Sequence, residues 1–525
     1  MQSPLRLVNS ILGRAPGPRA EVKRKVVVVR RHPTGKQRRS IKGATNSRLT
    51  HNWPTSPVSI DQEVMSQLST VRARSRDLRM NNEWFRRFDM AVRNNVVGPR
   101  GMGLHPLVKD ADGKPDTYAR ETIRTEWARW AGSPMHCDPA GRLTFQQQQT
   151  LGVSGTNVDG ELLARIRRGR AAGEYAMQVQ LLDPQLLDVS YNRELRNGSF
   201  IRMGIEYDAW ERPLAYHIMD PTTVSPHAGY FSSYFNARDF LRIPAADIVH
   251  VFIPEVVGQK RGLPWCTPTI TRGLRMDHYE EAALVNADVG ASKMGVLYTD
   301  EGEEYTGADV QGGSEQEEEG DAGEVIMEAE AGSFEQLPHG MKLEGWMPDY
   351  PHEMYDAFVR MQLMGIAAGL GMSYAGLSGD RRQESYSAGR AGIQEERVNW
   401  QCLQWWLSRA FCQRIYQEWL DMALLAGKLP GLDPLLVERY HNVLWQTRGW
   451  DWVDPLKDMQ ANVLAIKARL TSRRRIIAKS LGEEAETVWQ EVLEEEQLME
   501  QLGLSTDLPD VPGSAKLETG KTEED

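Results

Sequence analysis

Cysteine is scarce: four residues in 525, at 137, 266, 402 and 412, none in C-x-x-C spacing. A disulfide framework is therefore excluded, and a reducing compartment fits. Cys402 and Cys412 sit in one Trp- and Leu-rich stretch and are expected to be small buried hydrophobes. No apolar run approaches the ~18 residues that a membrane span needs, and Met1–Arg14 has no signal-peptide core. Secreted and integral-membrane classes are accordingly not expected. The phosphate loop G-x-x-x-x-G-K-[ST] is missing, because Gly35-Lys36 has Arg30 where the first glycine belongs. No G-x-G-x-x-G follows a strand, and no H-E-x-x-H occurs. Gly371-Met-Ser-Tyr-Ala375 departs from a nucleophile elbow at its last position and follows a helical pattern. His136-Cys137-Asp138 lacks the further ligands of a four-coordinate metal and reads as a surface loop. The expectation is a protein that is not an enzyme, with no cofactor and no metal.

What is present is a long chain with 41% hydrophobic and 26% charged residues, enough for two to four packed units. Its net charge of −10 is unevenly spread. Residues 1–50 carry thirteen Lys or Arg against one acid, Glu21, so the remainder stands at −22. Interrupted by Pro16, Pro18, Pro33, Pro54 and Pro57 and without periodicity, residues 1–60 read as a flexible basic arm. Such an arm is either a solubilising tail or a polycation for nucleic acid or an acidic partner.

From Asp61 the apolar residues recur at helical steps, through Val64, Leu68, Val71, Leu78, Phe85, Phe88 and Val92. A second helix is expected around Ile123, Trp127 and Trp130. Residues 174–252 alternate instead, with strands at 175–181, 201–207, 215–219 and 248–253 and a turn at Asn197-Gly198. A helix to about Ala291 precedes a stretch, Asp300–Met341, with fourteen Asp or Glu and no Lys or Arg. It lacks calcium-loop spacing; Glu315–Asp321 reads as a solvated loop, and 324–330 and 341–345 as short strands. Pro348 and Pro351 open a returning helix bearing Met354, Phe358, Met361 and Ile366. Helix, β insert and helix make a two-helix stalk with a cap. Glycines 369, 371, 376 and 379 with Asp380-Arg-Arg form a mobile polar loop. One long helix then runs from about Ser387 to Ala426, which at 1.5 Å per residue spans about 60 Å. Three shorter helices follow Pro455, and residues 504–525 read as a disordered polar tail. The fold class is α+β, predominantly helical.

Nine segments carry a resemblance, each weak alone but in a fixed order over about residues 60–500. They are Arg74-Ser-Arg-Asp-Leu78 to Asn94-Asn-Val-Val-Gly98, Gly160-Glu161, Asp183-Pro-Gln-Leu-Leu-Asp188, and Gly204-Ile-Glu-Tyr-Asp208 with Pro213-Leu-Ala-Tyr-His217. Ile243-Pro-Ala-Ala-Asp-Ile-Val-His250, Gly258-Gln-Lys-Arg-Gly-Leu-Pro-Trp265 and Leu337-Pro-His-Gly-Met341 come next. Ser385-Tyr-Ser-Ala-Gly-Arg390 and Trp452-Val-Asp-Pro455 complete the set. In these the chain resembles the portal proteins of tailed bacteriophages, in the lambda-type branch.

The resemblance implies a portal-type ring subunit, twelve to a ring, at one capsid vertex of the virion, assembled in the host cytoplasm. Double-stranded DNA would pass through the ring during packaging and ejection. It implies a wing (61–262), stem helices (263–291 and 349–371), an acidic β-containing clip (292–348) and a tunnel loop (372–386). Residues 387–450 would be the long wing helix with its following segment, and 451–503 a helical crown. The implied partners are further copies of the chain, the terminase large subunit, head-completion proteins, and the major capsid and scaffolding proteins, with no membrane. Ser378, Asp380, Arg381 and Arg382 would face DNA, while Glu317, Glu318, Glu319, Asp321 and Glu324 would receive docking partners. A body at −22 agrees with such a channel, because neutralising many phosphates would make a strong, salt-dependent grip instead of a passage. The competing readings are a capsid or adaptor protein without a channel, and a DNA-packaging enzyme, for which a phosphate loop is missing.

Overall fold

The computed structural model describes residue 48 and residues 54–219, 240–291, 295–299, 341–345, 354–382, 385–450, 455–480 and 485–503. Residues 59–525 form one unit by contact, distinct from residues 1–58. The basic arm, apart from residues 48 and 54–60, and the tail 504–525 lie outside the described residues.

Helix α1 (Ile60–Asn81) buries Val64, Leu68 and Leu78 along one stripe. It stops at Asn82, whose side chain accepts the backbone N–H groups of Trp84 and Phe85 and so starts α2 (Glu83–Val92). A π-turn, Arg93–Val97, closes that run. Strand β1 (Gly103–Pro106) precedes α3 (Thr117–Gly132), capped by Asp116, and α4 (Pro134–Cys137). A reciprocal Thr144–Gln147 capping box then starts α5 (Phe145–Asp159).

Strand β2 (Glu161–Arg168) pairs antiparallel with β3 (Met177–Leu182). A five-stranded antiparallel meander follows in chain order: β4 (Arg193–Glu194), β5 (Phe200–Arg202), β6 (Ile205–Tyr207), β7 (Pro213–Met219) and β8 (Phe240–Pro244). Strand β9 (Ile248–Phe252) returns to the free edge of β2, giving the order β3-β2-β9. Next come α6 (Ile270–Ala291), β10 (Gly295–Thr299), β11 (Met341–Gly345), α7 (Tyr355–Gly369) and α8 (Tyr374–Ser378).

The long helix is α9 (Tyr386–Leu407) continued through a π-turn, Ser408–Cys412, into α10 (Gln413–Leu425). After α11 (Val437–Tyr440), β12 (Val443–Gln446) runs back to pair with β1. Helices α12 (Pro455–Lys467), α13 (Arg473–Ser480) and α14 (Ala485–Gln501) end the described chain.

The core gathers on Trp127. Its ring lies 5.0 Å from Trp130, 5.1 Å from Trp419, 5.3 Å from Phe145, 5.6 Å from Tyr416 and 5.9 Å from Trp445. Most of these pairs are edge-to-face, each worth about 0.5–1.5 kcal/mol beyond area burial. Tyr416 and Trp419 come from α10, so the far half of the long helix is anchored inside the body.

Several expectations change. Residues 201–207 are not one strand: Met203 (φ 48°) and Gly204 (φ 81°) make a tight turn that folds them into the β5–β6 hairpin. Both central residues need positive φ, which glycine supplies at no steric cost. Cys402 is exposed while Cys412 is buried, because the wider π-turn between them rotates the following face. The His136-Cys137-Asp138 site is no surface loop: Cys137 and Asp138 are buried. The Asp138 carboxylate accepts the N–H groups of Ala140, Arg142 and Leu143, and Cys137 donates to the Leu143 carbonyl. The two helices flanking the acidic insert begin later than expected, at Ile270 and Tyr355. The expected strand at 324–330 lies outside the described residues, whereas 341–345 is a strand.

Five of the nine weak motifs, those with Arg76, Glu161, Asp183, His250 and Arg261, converge on one junction. The Glu161 carboxylate accepts from Arg72 Nη2 (3.0 Å), Arg261 Nε (2.9 Å), His250 Nε2 (2.9 Å) and the Gly262 N–H (3.3 Å), and Arg261 Nη2 also pairs with it. Arg261 is fully buried and spends its remaining N–H groups on the carbonyls of Pro184, Leu187 and Met203. Arg76 bridges Asp159 and Asp183 alongside, so three guanidinium groups meet three carboxylates. The chain approach is as close as it can be: a Cβ on Gly262 would strike the Gly160 carbonyl.

Burial opposes ionisation of Glu161, but Arg261, and then His250, outweigh it and hold its carboxyl well below 4.5. A depressed carboxyl contributes stability that is complete above its unfolded pKa and lost as pH falls through the folded one. Glu161→Gln is therefore expected to cost about 3–5 kcal/mol by leaving Arg72 and Arg261 without their counter-charge. The check is thermal and denaturant unfolding, where the variant's deficit should shrink only below pH ~4.5. Gly262→Ala should also lower the melting temperature, since neither backbone segment has room to yield.

Candidate functional site

Helices α6 and α7 lie against each other at their body end through small residues. Gly365 leaves room for the Arg272 guanidinium, Gly369 for Thr269, and Gly273 for the Phe85 ring of α2. Farther along, Tyr279 packs against Phe358 (centroids 4.9 Å) and Tyr355 (5.9 Å). Apolar side chains are exposed along both helices: Leu274, Leu284 and Val285 on α6, Met361 and Met364 on α7. Strands β10 and β11, which continue the two helices, pair from Gly295↔Gly345 to Thr299↔Met341. The acidic segment between them, with Glu317, Glu318, Glu319, Asp321 and Glu324, lies outside the described residues.

Acids crowd the base of α6. Asn82 donates to Asp277, and burial, reinforced by Glu83, raises the carboxyls of both Asp277 and Glu280.

The segment after α7 is ordered by capping. Ser373, the residue in the elbow-like Gly371–Ala375 pattern, is an N-cap: it accepts the Gly376 N–H (3.0 Å) and donates to Glu396 of α9 (2.6 Å). Its hydroxyl is thus committed to structure. Arg87 Nε of α2 donates to the Gly376 carbonyl (2.9 Å), so α8 is strapped to two neighbours. The expected mobile loop 372–386 is therefore a short helix, Tyr374–Ser378, followed by a tied turn, and α9 begins at Tyr386.

Asp380 ties that turn. Its carboxylate accepts from Arg360 Nη2 of α7 (3.0 Å), the Tyr374 hydroxyl (3.1 Å), and the Arg382 backbone N–H and Nε (3.0 Å each). These donors, those of Arg382 foremost, hold the Asp380 carboxyl far below the ordinary carboxylate range. Ser378 Oγ accepts the Asp380 N–H (3.1 Å) and donates to the Tyr374 carbonyl.

The four residues expected to face DNA thus part company. Ser378 and Asp380 hold the turn, Arg382 pairs with Asp380 and Asp356, and Arg381 alone of the four makes no ion pair or side-chain hydrogen bond among the described residues. Arg381 stands at a cleft of about 820 Å³ lined by Arg86, Arg87, Asn94, Glu396 and Arg448. Arg360, Tyr374 and Glu396 were not singled out from sequence; the Asp356–Arg360 pair, four residues apart on a helix, was the available signal.

The order of elements, the paired helices with an acidic insert and the capped segment after them agree with a comparison of the whole sequence. Residues 46–404 match the family described as phage portal protein, lambda family. The chain belongs to this family. Its members are structural components of the virion, not enzymes. The probable portal protein of Halomonas phage phiHAP-1 is 29% identical over 468 residues, covering 89% of this chain and 88% of the relative. Portal protein B of Escherichia phage lambda is 22% identical over 475 residues, covering 84% and 86%. Among solved structures, a chain in the neck of an empty GTA particle is 14% identical, with a TM-score of 0.39 over 79% of this chain and 92% of that one. Among the described residues no helix is long and apolar enough to cross a membrane.

Asp380→Asn should release Arg382 and open the turn. Trypsin should then cleave after Arg381 or Arg382 about tenfold faster than in the parent protein, with the melting temperature unchanged, because local opening is easier than global unfolding. Mass spectrometry of a limited digest is the check.

Proposed function

We propose that copies of this portal protein close into a ring of twelve at one capsid vertex and form the passage for double-stranded DNA into and out of the head. Family membership gives the portal role; the single structural observation that carries the ring is the stem. Within the stem segments 263–291 and 349–371, helices α6 and α7 expose apolar side chains, a surface that a lone subunit leaves wet and a neighbouring stem covers. Residues 61–262 with 387–450 are the wing, 292–348 the clip, 372–386 the tunnel segment and 451–503 the crown. The negative body supports passage over gripping, since each neutralised phosphate adds a salt-dependent hold.

Arg381 is the DNA-facing cation in this scheme, repeated once per subunit, while Asp380, Ser378 and Arg382 keep its turn in shape. The acids Glu317, Glu318, Glu319, Asp321 and Glu324 of the clip receive the terminase large subunit and later the head-completion proteins. A dense negative face steers a basic partner at long range and releases it to another. Major capsid and scaffolding proteins surround the ring during assembly in the host cytoplasm.

Negative-stain microscopy of the purified chain should show rings with a central hole; solitary particles would sink the proposal. Arg381→Ala should reduce DNA packaged per head while leaving ring formation intact, and undiminished packaging would remove Arg381 from its role. Terminase docking to the ring should weaken as salt rises from 0.05 to about 0.5 M, where surface charges are screened within a few Å. Salt-independent docking would contradict the acidic receiving face.

A further inference from the structure

The last three helices present an unusual distribution of charge and apolar surface. Residues 469–479 carry five Lys or Arg and no acid, and α14 carries six Glu and no base. Only one ion pair joins these two blocks among the described residues, Arg474 with Glu486. Arg469, Arg473 and Arg475 on one side, and Glu491, Glu494, Glu495 and Glu496 on the other, have no ionic partner there. Apolar side chains are left bare on the same helices: Met459, Val463 and Leu464 on α12, and Trp489, Val492 and Leu493 on α14. Of the described residues from Pro455 onward, Ala485 alone is buried.

An apolar helix stripe flanked by unpaired charge of one sign needs a partner of the other sign. Here the same chain carries both signs, on different helices. We propose that the acidic, apolar-striped face of α14 docks on the basic α13 and the apolar face of α12 of the adjacent copy. Complementary patches at two different places on one chain make a head-to-tail contact, and such a contact repeats around a closed ring. The aromatic and aliphatic side chains of α14 supply the buried area, and the glutamates fix direction and register against Arg473 and Arg475. The inference rests on the ring proposed above and adds a crown interface to it. The occupant is a second copy; nucleic acid on the basic helix is the competing outcome of the test.

The test uses the full chain in two variants. One carries Arg473→Glu and Arg475→Glu; the other carries Glu491→Lys and Glu495→Lys, one helical turn apart. Each alone opposes like charges at every crown contact, and native mass spectrometry at 0.1 M salt should show the ring-to-monomer midpoint moved to about tenfold higher protein concentration. An equimolar mixture of the two should return the midpoint to within about threefold of the parent, because alternating copies restore opposite charges at each contact. Rescue in trans separates a contact between copies from one within a chain. Circular dichroism should be unchanged for both, as the substituted side chains have no ionic partner in their own chain; Gln at the same four positions gives an intermediate shift if reversal perturbs folding.

Rings that ignore both reversals overturn the crown contact and leave the ring standing. So do variants that each keep the parent's midpoint while the first loses affinity for a 30-base-pair duplex, which assigns α13 to nucleic acid. A parent chain that forms no ring at all overturns the reading underneath. Failure of the mixture to recover while each variant alone is impaired confines the pairing to one chain and also overturns the proposal.

Discussion

The carboxylate of Glu161 is the point on which the body is assembled. It faces Arg72 from α1, His250 from β9 and Arg261 from the loop before α6, and Arg261 in turn holds the turn at Pro184–Leu187 and the hairpin at Met203. Six separate stretches of chain are fixed by one buried charge and its counter-charges. Such a cluster is poor evidence for net stability, because desolvation offsets most of the attraction. Its effect is specificity: any other register of these stretches would bury guanidinium groups without partners. The loop carrying Arg261 and Gly262 leads directly into α6, so that helix starts from a tightly constrained place.

The opposite end of that constraint is the aromatic cluster around Trp127, in which α3, α5 and α10 meet. Between the ion-pair junction and this cluster, the long helix and the three-stranded sheet have no freedom to slide. Flexibility is left to elements that leave the body. Helices α6 and α7 join it at their bases through Ile270, Met276, Leu363 and Ile366 and the close approaches at Gly369 and Gly273, and the turn after α7 is held by hydrogen bonds to the half-buried Asp380 carboxylate. The pairs made by the exposed Arg382 contribute little each, which makes the turn at Asp380 easier to reshape than the junction at Glu161.

Much of this was legible in the sequence because it follows from local periodicity. Helix α1, the long helix, the three terminal helices and strand β9 all follow apolar repeats, and the Gly-marked ends fall where expected. Helix α5 and strand β2 were missed for a physical reason. The first is rich in Gln and Gly and buries Gln148 and Gln149, so it shows no apolar stripe. The second is covered on both faces, so it shows no alternation. The junction itself was visible only as scattered dipeptides, Gly160-Glu161 and Arg261-Gly262, whose meaning is a contact about one hundred residues apart. At the segment after α7 the sequence indicated glycines and charge, hence a mobile loop. What it could not indicate is that Ser373 finds Glu396 and Asp380 finds Arg360, since pairing across elements leaves no periodic trace.

One pattern unites the charge along the chain. The basic arm, the acidic insert and the opposed blocks of α13 and α14 are each dominated by a single sign. A chain that folded for itself alone would gain by interleaving them, because segregated like charges repel. Segregation carries a benefit only when the complement lies on another molecule, where it sets direction and the order of encounters. Inside the body the rule reverses: the buried Arg72 and Arg261 meet the buried Glu161, and Arg76 joins the buried Asp159 to Asp183 at the rim. Among the described residues, charge is neutralised where the subunit holds itself together and left mostly unpaired on α13 and α14. That division is what a subunit needs if it must fold alone and then be completed by its neighbours.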